Sequence, residues 1–206
     1  EEKKISFSDM MQLLKTNWEG NEYLRQYALN RFPYYGNDDD EADSYTVRIL
    51  NAFAEAVEKR NTGNAPFLFV PGVSTFGRQI EWLPYRTAVP FGRKKGDILS
   101  GNDSPSPGTD RLGATAVIKS YCKADLARQT NGAALDVKLH PSAVRGEDGI
   151  NGLIGLMRGF LALGGFFMQL DIMDAHVLEE AQKNPEAYKT LSVRVSGWNA
   201  RFVTLD

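Results

Sequence analysis

Apolar and polar positions fall into three regimes along the chain. In the first, over residues 1–65, the spacing is helical. "SFSDMMQLLKTNW" offers Ser6 as an N-cap with Asp9 three residues on, close to a capping box. "NEYLRQYALNRF" reads as a short amphipathic helix stopped by Pro33. In "DDDEADSYTVRILNAFAEAVEKR", Val47, Leu50, Phe53 and Val57 recur at helical spacing. The acidic start of that segment suits the positive end of a helix dipole, and Asp38–Asp43 reads as a solvated helix start rather than a metal site.

The second regime, residues 66–113, is irregular. "PFLFVPGVSTF" reads as a short buried strand broken by Pro71 and Gly72. A long stretch rich in Gly, Pro, Ser and Asp follows, including "GNDSPSPGTDRLG". Loops of this length inside a compact body are usually functional. In the third regime, residues 114–206, helix and strand patterns alternate. "TAVIKSYCKADLA" is helical, and "AALDVKLH" alternates Leu135, Val137 and Leu139 against polar residues as a strand does. "GINGLIGLMRGFLALGG" reads as a buried helix and "FFMQLDIMD" as a strand with Phe166, Met168, Leu170 and Ile172 on one face. "AHVLEEAQKNPEAY" is a helix with Asp174 as N-cap, halted by Pro185, and "SVRVSGWNARFV" is a final strand. The alternation predicts an α/β fold. Three or four strands cannot close a sheet, so the chain is expected to complete a larger body.

Composition narrows the classes. Of 206 residues, 42% are hydrophobic and 24% charged, and the net charge of -2 with no basic block beyond "GRKKG" gives no footprint for nucleic acid. One cysteine, Cys122, leaves no internal disulfide, and fits a reducing, cytoplasmic setting. No secretory leader is evident in "EEKKISFSDMM". The most apolar run, Leu153–Leu170, is interrupted by Arg158 and by Gly164-Gly165, so no membrane span is expected. The two histidines, His140 and His176, lack neighbours at ligand spacing and read as structural; no metal site, P-loop or GxSxG element is present. Cys122 reads as a buried, inert thiol.

One element is unusual. "VRVSGWNARF" carries Gly197 within a strand pattern, where glycine ordinarily marks a bulge or a close approach. Arg194, Val195, Ser196, Gly197 and Trp198 resemble the Arg-Val-(Ser/Ala)-Gly-(Tyr/Trp) signature of the glycyl radical enzymes. Asp171-Ile172-Met173-Asp174 and "AQKNPEAY" resemble the segments that precede it, and "YGNDDDEAD", "SPSPGTDRLGATAVIKS" and "TNGAALDVKLHPSA" resemble further family segments in family order.

The resemblance implies the C-terminal part of an α/β barrel, a single portion spanning 1–206, with Gly197 on a buried loop as the radical store. Val195, Ser196 and Trp198 would shield it. No cofactor is bound permanently; a separate activating enzyme with an iron–sulfur cluster and S-adenosylmethionine installs the radical. A thiyl cysteine is expected on the remainder of the barrel, since Cys122 does not fall in the family's cysteine loop. Small accessory subunits and a dimer of the full enzyme are further expectations. Pro90-Phe91-Gly92-Arg93 in place of the Pro-Asp-Gly-Arg of many eliminases, Trp198, and the apolar "GGFFMQLDIMD" resemble the branch that adds hydrocarbons to fumarate, with Val73 as a pocket wall. The alternatives are a C–O or C–N eliminase, a decarboxylase, or a non-catalytic rescue protein for a damaged lyase.

Overall fold

A computed structural model describes residues 5–61, 63–64, 66–74, 82–195 and 198–205. The first helix, α1 (Phe7–Lys15), starts where the sequence places it: the Ser6 hydroxyl accepts from the Asp9 amide at 3.1 Å and donates to its carboxylate at 2.6 Å. Past its end Asn17 and Trp18 take positive φ, which turns the Trp18 indole inward. There it packs with Leu13, with Ala28 of α2 (Glu22–Arg31) and with Ala88 in a small satellite core. α2 is less amphipathic than its pattern suggested, since Ala28 is its one buried residue among those described. The loop after Ala88 lies against it at Gly92, where φ is +98° and an added Cβ would meet Leu29 at 2.7 Å. Only glycine permits that approach.

The main body begins with α3 (Asp40–Glu58), capped by Asp39, whose carboxylate accepts from the Ala42 amide. α3 packs on α4 (Ala114–Cys122). Next come β1 (Ala134–Leu139), α5 (Gly146–Ala162) and β2 (Phe167–Ile172), a parallel βαβ unit. Leu135 is in register with Met168 and Val137 with Leu170, and these four join Leu50, Val117, Ile118, Tyr121 and Phe160 in the principal core. The Tyr121 ring stacks on Phe160, and its hydroxyl donates to the Ala133 carbonyl at 2.6 Å, at the entrance to β1.

Several expectations need correcting. The Asp38–Asp43 run is not simply solvated. Asp38, Asp40 and Asp43 converge on the Lys123 ammonium at 3.0, 2.7 and 2.7 Å, and Asp43 has no exposed side-chain surface. The opposed charges tie the start of α3 to the end of α4. α5 is not buried: Phe160 is its buried residue, while Ile150, Ile154, Met157 and Leu161 stand open. Residues 66–70 form no strand, and Phe67, Leu68, Phe69 and Val70 are exposed. Phe53 of α3 is also exposed and lines a groove with Phe69 and Val70. The final segment is two strands, not one. After α6 (Ala175–Lys183), capped by Asp174 as expected, β3 (Ser192–Val195) pairs antiparallel with β4 (Trp198–Arg201). Among the described residues no helix is long and apolar enough to cross a membrane.

Burial opposes the charge on Lys123, but its hydrogen bonds to Asp40, Asp43 and Asp38 outweigh that and hold its pKa above the usual lysine value. Removing the cation strands a buried carboxylate. Lys123→Met is therefore expected to cost about 3 kcal/mol or more, read as a fall in the urea midpoint. Adding Asp43→Leu should recover part of that loss, because the stranded charge goes with it.

Candidate active site

A parallel strand pair has two faces, and the period of two divides its residues between them. The face opposite the core carries Ala134, Asp136 and Lys138 from β1, in register with Phe167, Gln169 and Asp171 from β2. Two hollows lie on it. One, of about 220 Å³, is lined by Val73, Ser74, Asn102, Asp136, Phe166, Phe167 and Gln169 together with residues 131–134. The other, a cleft of about 570 Å³, shares Asp136 and Gln169 and adds Asp110, Lys138 and Asp171.

The edge of β1 away from β2 is closed by two loop segments. Val73 forms a parallel bridge to Ala133, with its amide donating to the Gly132 carbonyl at 2.7 Å. Gly72 lets the backbones meet: a Cβ there would lie 2.8 Å from Asn131. Farther along, the Asp103 amide donates to the Ala134 carbonyl, and the Ser104 hydroxyl accepts from the Asp136 amide. Between these anchors Asn102 takes a φ of +51°, a conformation asparagine tolerates better than most residues. Its side-chain amide donates to Asp136 Oδ2 at 2.7 Å. Burial raises the Asp136 pKa above the usual carboxylate value; the Asn102 bond opposes that, the Asp171 charge reinforces it and Lys138 counters it. On β2, Gln169 Nε2 donates to Asp171 Oδ1 at 3.0 Å.

The expected site residues divide sharply. Val73 reaches the smaller hollow and is half-buried against the principal core. Ser196 and Gly197 lie outside the described residues, as do the side chains of Val195 and Trp198. The backbones of Val195 and Trp198 pair with each other across those two positions. Cys122 sits on α4, partly buried against the core and away from both hollows, and burial pushes its thiol up to about 11. His140 caps the 3-10 turn Pro141–Val144, and His176 lies in the first turn of α6. Among the described residues no cluster of metal-ligating side chains exists. Asp136, Gln169 and Asn102 went unread in the sequence. The alternation of β1 does place Asp136 opposite Leu135 and Val137, but nothing local marks Asn102 as its partner.

Residues 99–203 match the family described as Glycine radical, and residues 1–92 match the one described as Pyruvate formate lyase-like. Trans-4-hydroxy-L-proline dehydratase of Clostridioides difficile is 35% identical, aligned over 100% of this chain and 26% of its own length. (2S)-3-sulfopropanediol dehydratase of Klebsiella oxytoca is 33% identical, over 100% of this chain and 25% of its own. The glycerol-bound B12-independent glycerol dehydratase from Clostridium butyricum superposes with a TM-score of 0.90 at 35% identity, covering 100% of this chain and 26% of that one. This chain thus spans about a quarter of the length of these relatives. They are dehydratases, not fumarate-adding enzymes, so the hydrocarbon branch expected from Phe91 and Trp198 finds no support among them.

Asp103, behind the Asn102–Asp136 contact, is buried, and its Oδ2 has no partner among the described residues. Burial pushes its carboxyl up to about 6. A raised folded-state pKa means stability fully present below pH ~4 and lost as pH rises through about 6. The neutral mimic Asp103→Asn escapes that loss. It is expected to match the parent near pH 4 and to exceed it by about 2 kcal/mol at pH 8, checked by urea melts across that range.

Proposed function

Because the chain belongs to the glycyl radical enzymes, we propose that it is the radical-storing, C-terminal portion of an eliminase that removes water from a small hydroxylated substrate. The observation that carries the eliminase reading is the polar face of β1 and β2. Asp136 and Gln169 occupy cross-strand positions over a hollow that Val73, Phe166 and Phe167 close on the apolar side. Such a site can hold a substrate by its hydroxyls and leave its C–H bonds against the apolar wall.

Gly197 is the radical store in this reading. Loss of the Cα hydrogen atom leaves a planar radical whose spin spreads into the flanking amide and carbonyl. No side chain opposes planarity, and none supplies a β-hydrogen for decay. Glycine's lack of a Cβ is then a chemical requirement as well as a conformational one. An activating enzyme with an iron–sulfur cluster and S-adenosylmethionine would supply the abstracting radical, the usual division between cofactor chemistry and protein positioning. The pairing of β3 with β4 fixes the backbone on both sides of Ser196 and Gly197. Val195, Ser196 and Trp198 keep their proposed shielding role against water and oxidants.

The remainder of the barrel would bring the thiyl cysteine. It would also cover the open face of α5 and the apolar groove of Phe53, Phe69 and Val70, since exposed apolar patches of this kind mark interaction surfaces. Small accessory subunits and a dimer of the full enzyme belong to the same proposal. A rescue protein is the weaker reading, because the family match extends upstream through residues 1–92 rather than ending with the glycyl segment.

Anaerobic EPR tests the assignment. With the remainder of the enzyme, the activating enzyme and S-adenosylmethionine, the parent should give a glycyl doublet that Gly197→Ala lacks. Product analysis tests the reaction class. A diol should yield the aldehyde, whereas a succinate adduct formed from toluene and fumarate would overturn the eliminase reading.

A further inference from the structure

Asp136 stands out among the polar residues of the β1–β2 face. It belongs to the lining of both hollows, so any molecule occupying either meets it. Its backbone is fixed twice: by the β1–β2 ladder on one side and by the Ser104 hydroxyl on the other. Its side chain is fixed once, by Asn102 at Oδ2. Oδ1 accepts no hydrogen bond from any described residue. A carboxylate in this state has lost rotational freedom and keeps one acceptor oxygen unused. Such an atom is preorganised to receive an O–H donor.

We propose that Asp136 is a substrate-binding residue that accepts a hydrogen bond from a hydroxyl of a neutral polyol, and that it selects against anionic analogues. This rests on the eliminase reading above and adds to it the charge class of the substrate. The hollow beside Val73, at about 220 Å³, lies below the range of drug-sized sites and suits a molecule of a few carbons. Asp171 stands one pair farther along the same face, across from Lys138. One cation against two carboxylates leaves the face with a negative excess. A sulfonate or carboxylate group placed there would meet like charge in a partly desolvated setting, which costs affinity. An O–H donor pays no such penalty and pairs with a charged acceptor, the stronger class of hydrogen bond.

The test uses the full enzyme, activated anaerobically, with glycerol and (2S)-3-sulfopropanediol as paired probes; the second carries a sulfonate. Asp136→Asn preserves shape and can still accept from Asn102, but it turns a donor toward the hollow and removes the charge. The parent is expected to favour glycerol by kcat/KM. The variant should raise the KM for glycerol at least tenfold and narrow or invert the preference between the probes. The glycyl EPR doublet and the urea midpoint should stay unchanged. A variant that keeps the parental KM and probe ratio overturns the proposal, and so does a parent that favours the sulfonate. If Asp136→Asn unfolds, Asn102→Ala is read instead: releasing Oδ2 should raise the glycerol KM, and an unchanged KM overturns the proposal. Absence of the doublet or of aldehyde from the parent strikes the eliminase reading itself, and is thereby distinguished from failure of the Asp136 assignment.

Discussion

Parallel strands are stable when both faces are covered, and among the described residues β1 with β2 has helices on only one. That asymmetry organises the rest. The covered face receives Leu135, Val137, Met168 and Leu170, and behind them α4 and α5 supply Val117, Ile118, Tyr121 and Phe160. Tyr121 stacks on Phe160 and bonds to Ala133, so one ring joins the helix layer to the entrance of the sheet. The other face holds Asp136, Lys138 and Asp171, which would be costly to bury without partners, and Gln169, which is buried and donates to Asp171. That face remains a hollow instead, and the 101–104 loop satisfies the β1 edge beside it.

Local signals were legible wherever they were complete within a few residues. Ser6 with Asp9, and Asp174, each announce a helix start, because an N-cap needs only its own next turn. The alternation in "AALDVKLH" gave β1 for the same reason. Signals that depend on distant residues misled. The acidic run before α3 looked solvated because its cation, Lys123, lies eighty residues on at the end of α4. The apolar residues of α5 and of 66–70 looked buried because apolar residues usually are. Here they stand exposed, in a chain that spans about a quarter of the length of its relatives. "SVRVSGWNARF" looked like a single strand because β-forming residues flank the glycine on both sides; the pairing of Val195 with Trp198 makes it two.

The candidate site was half legible. Val73 borders the smaller hollow, and its role toward a substrate belongs to the proposal. The polar residues across from it were passed over, since strand periodicity marks which residues avoid the core without saying what they then face. The same weighting of apolar residues drew the substrate toward a hydrocarbon.

The hairpin of β3 and β4 sets a rule of spacing. Ser192 pairs with Arg201, Val193 with Ala200, Arg194 with Asn199 and Val195 with Trp198, so two positions alone separate the paired strands. Inserting or deleting one residue there would slip the register and turn every side chain of β4 to the opposite face. The segment is therefore constrained twice: its length by this register, and Gly197 by the radical role proposed for it. The spacing from Arg194 to Trp198 thus acts as a ruler that holds the proposed radical position at a set place between two paired strands.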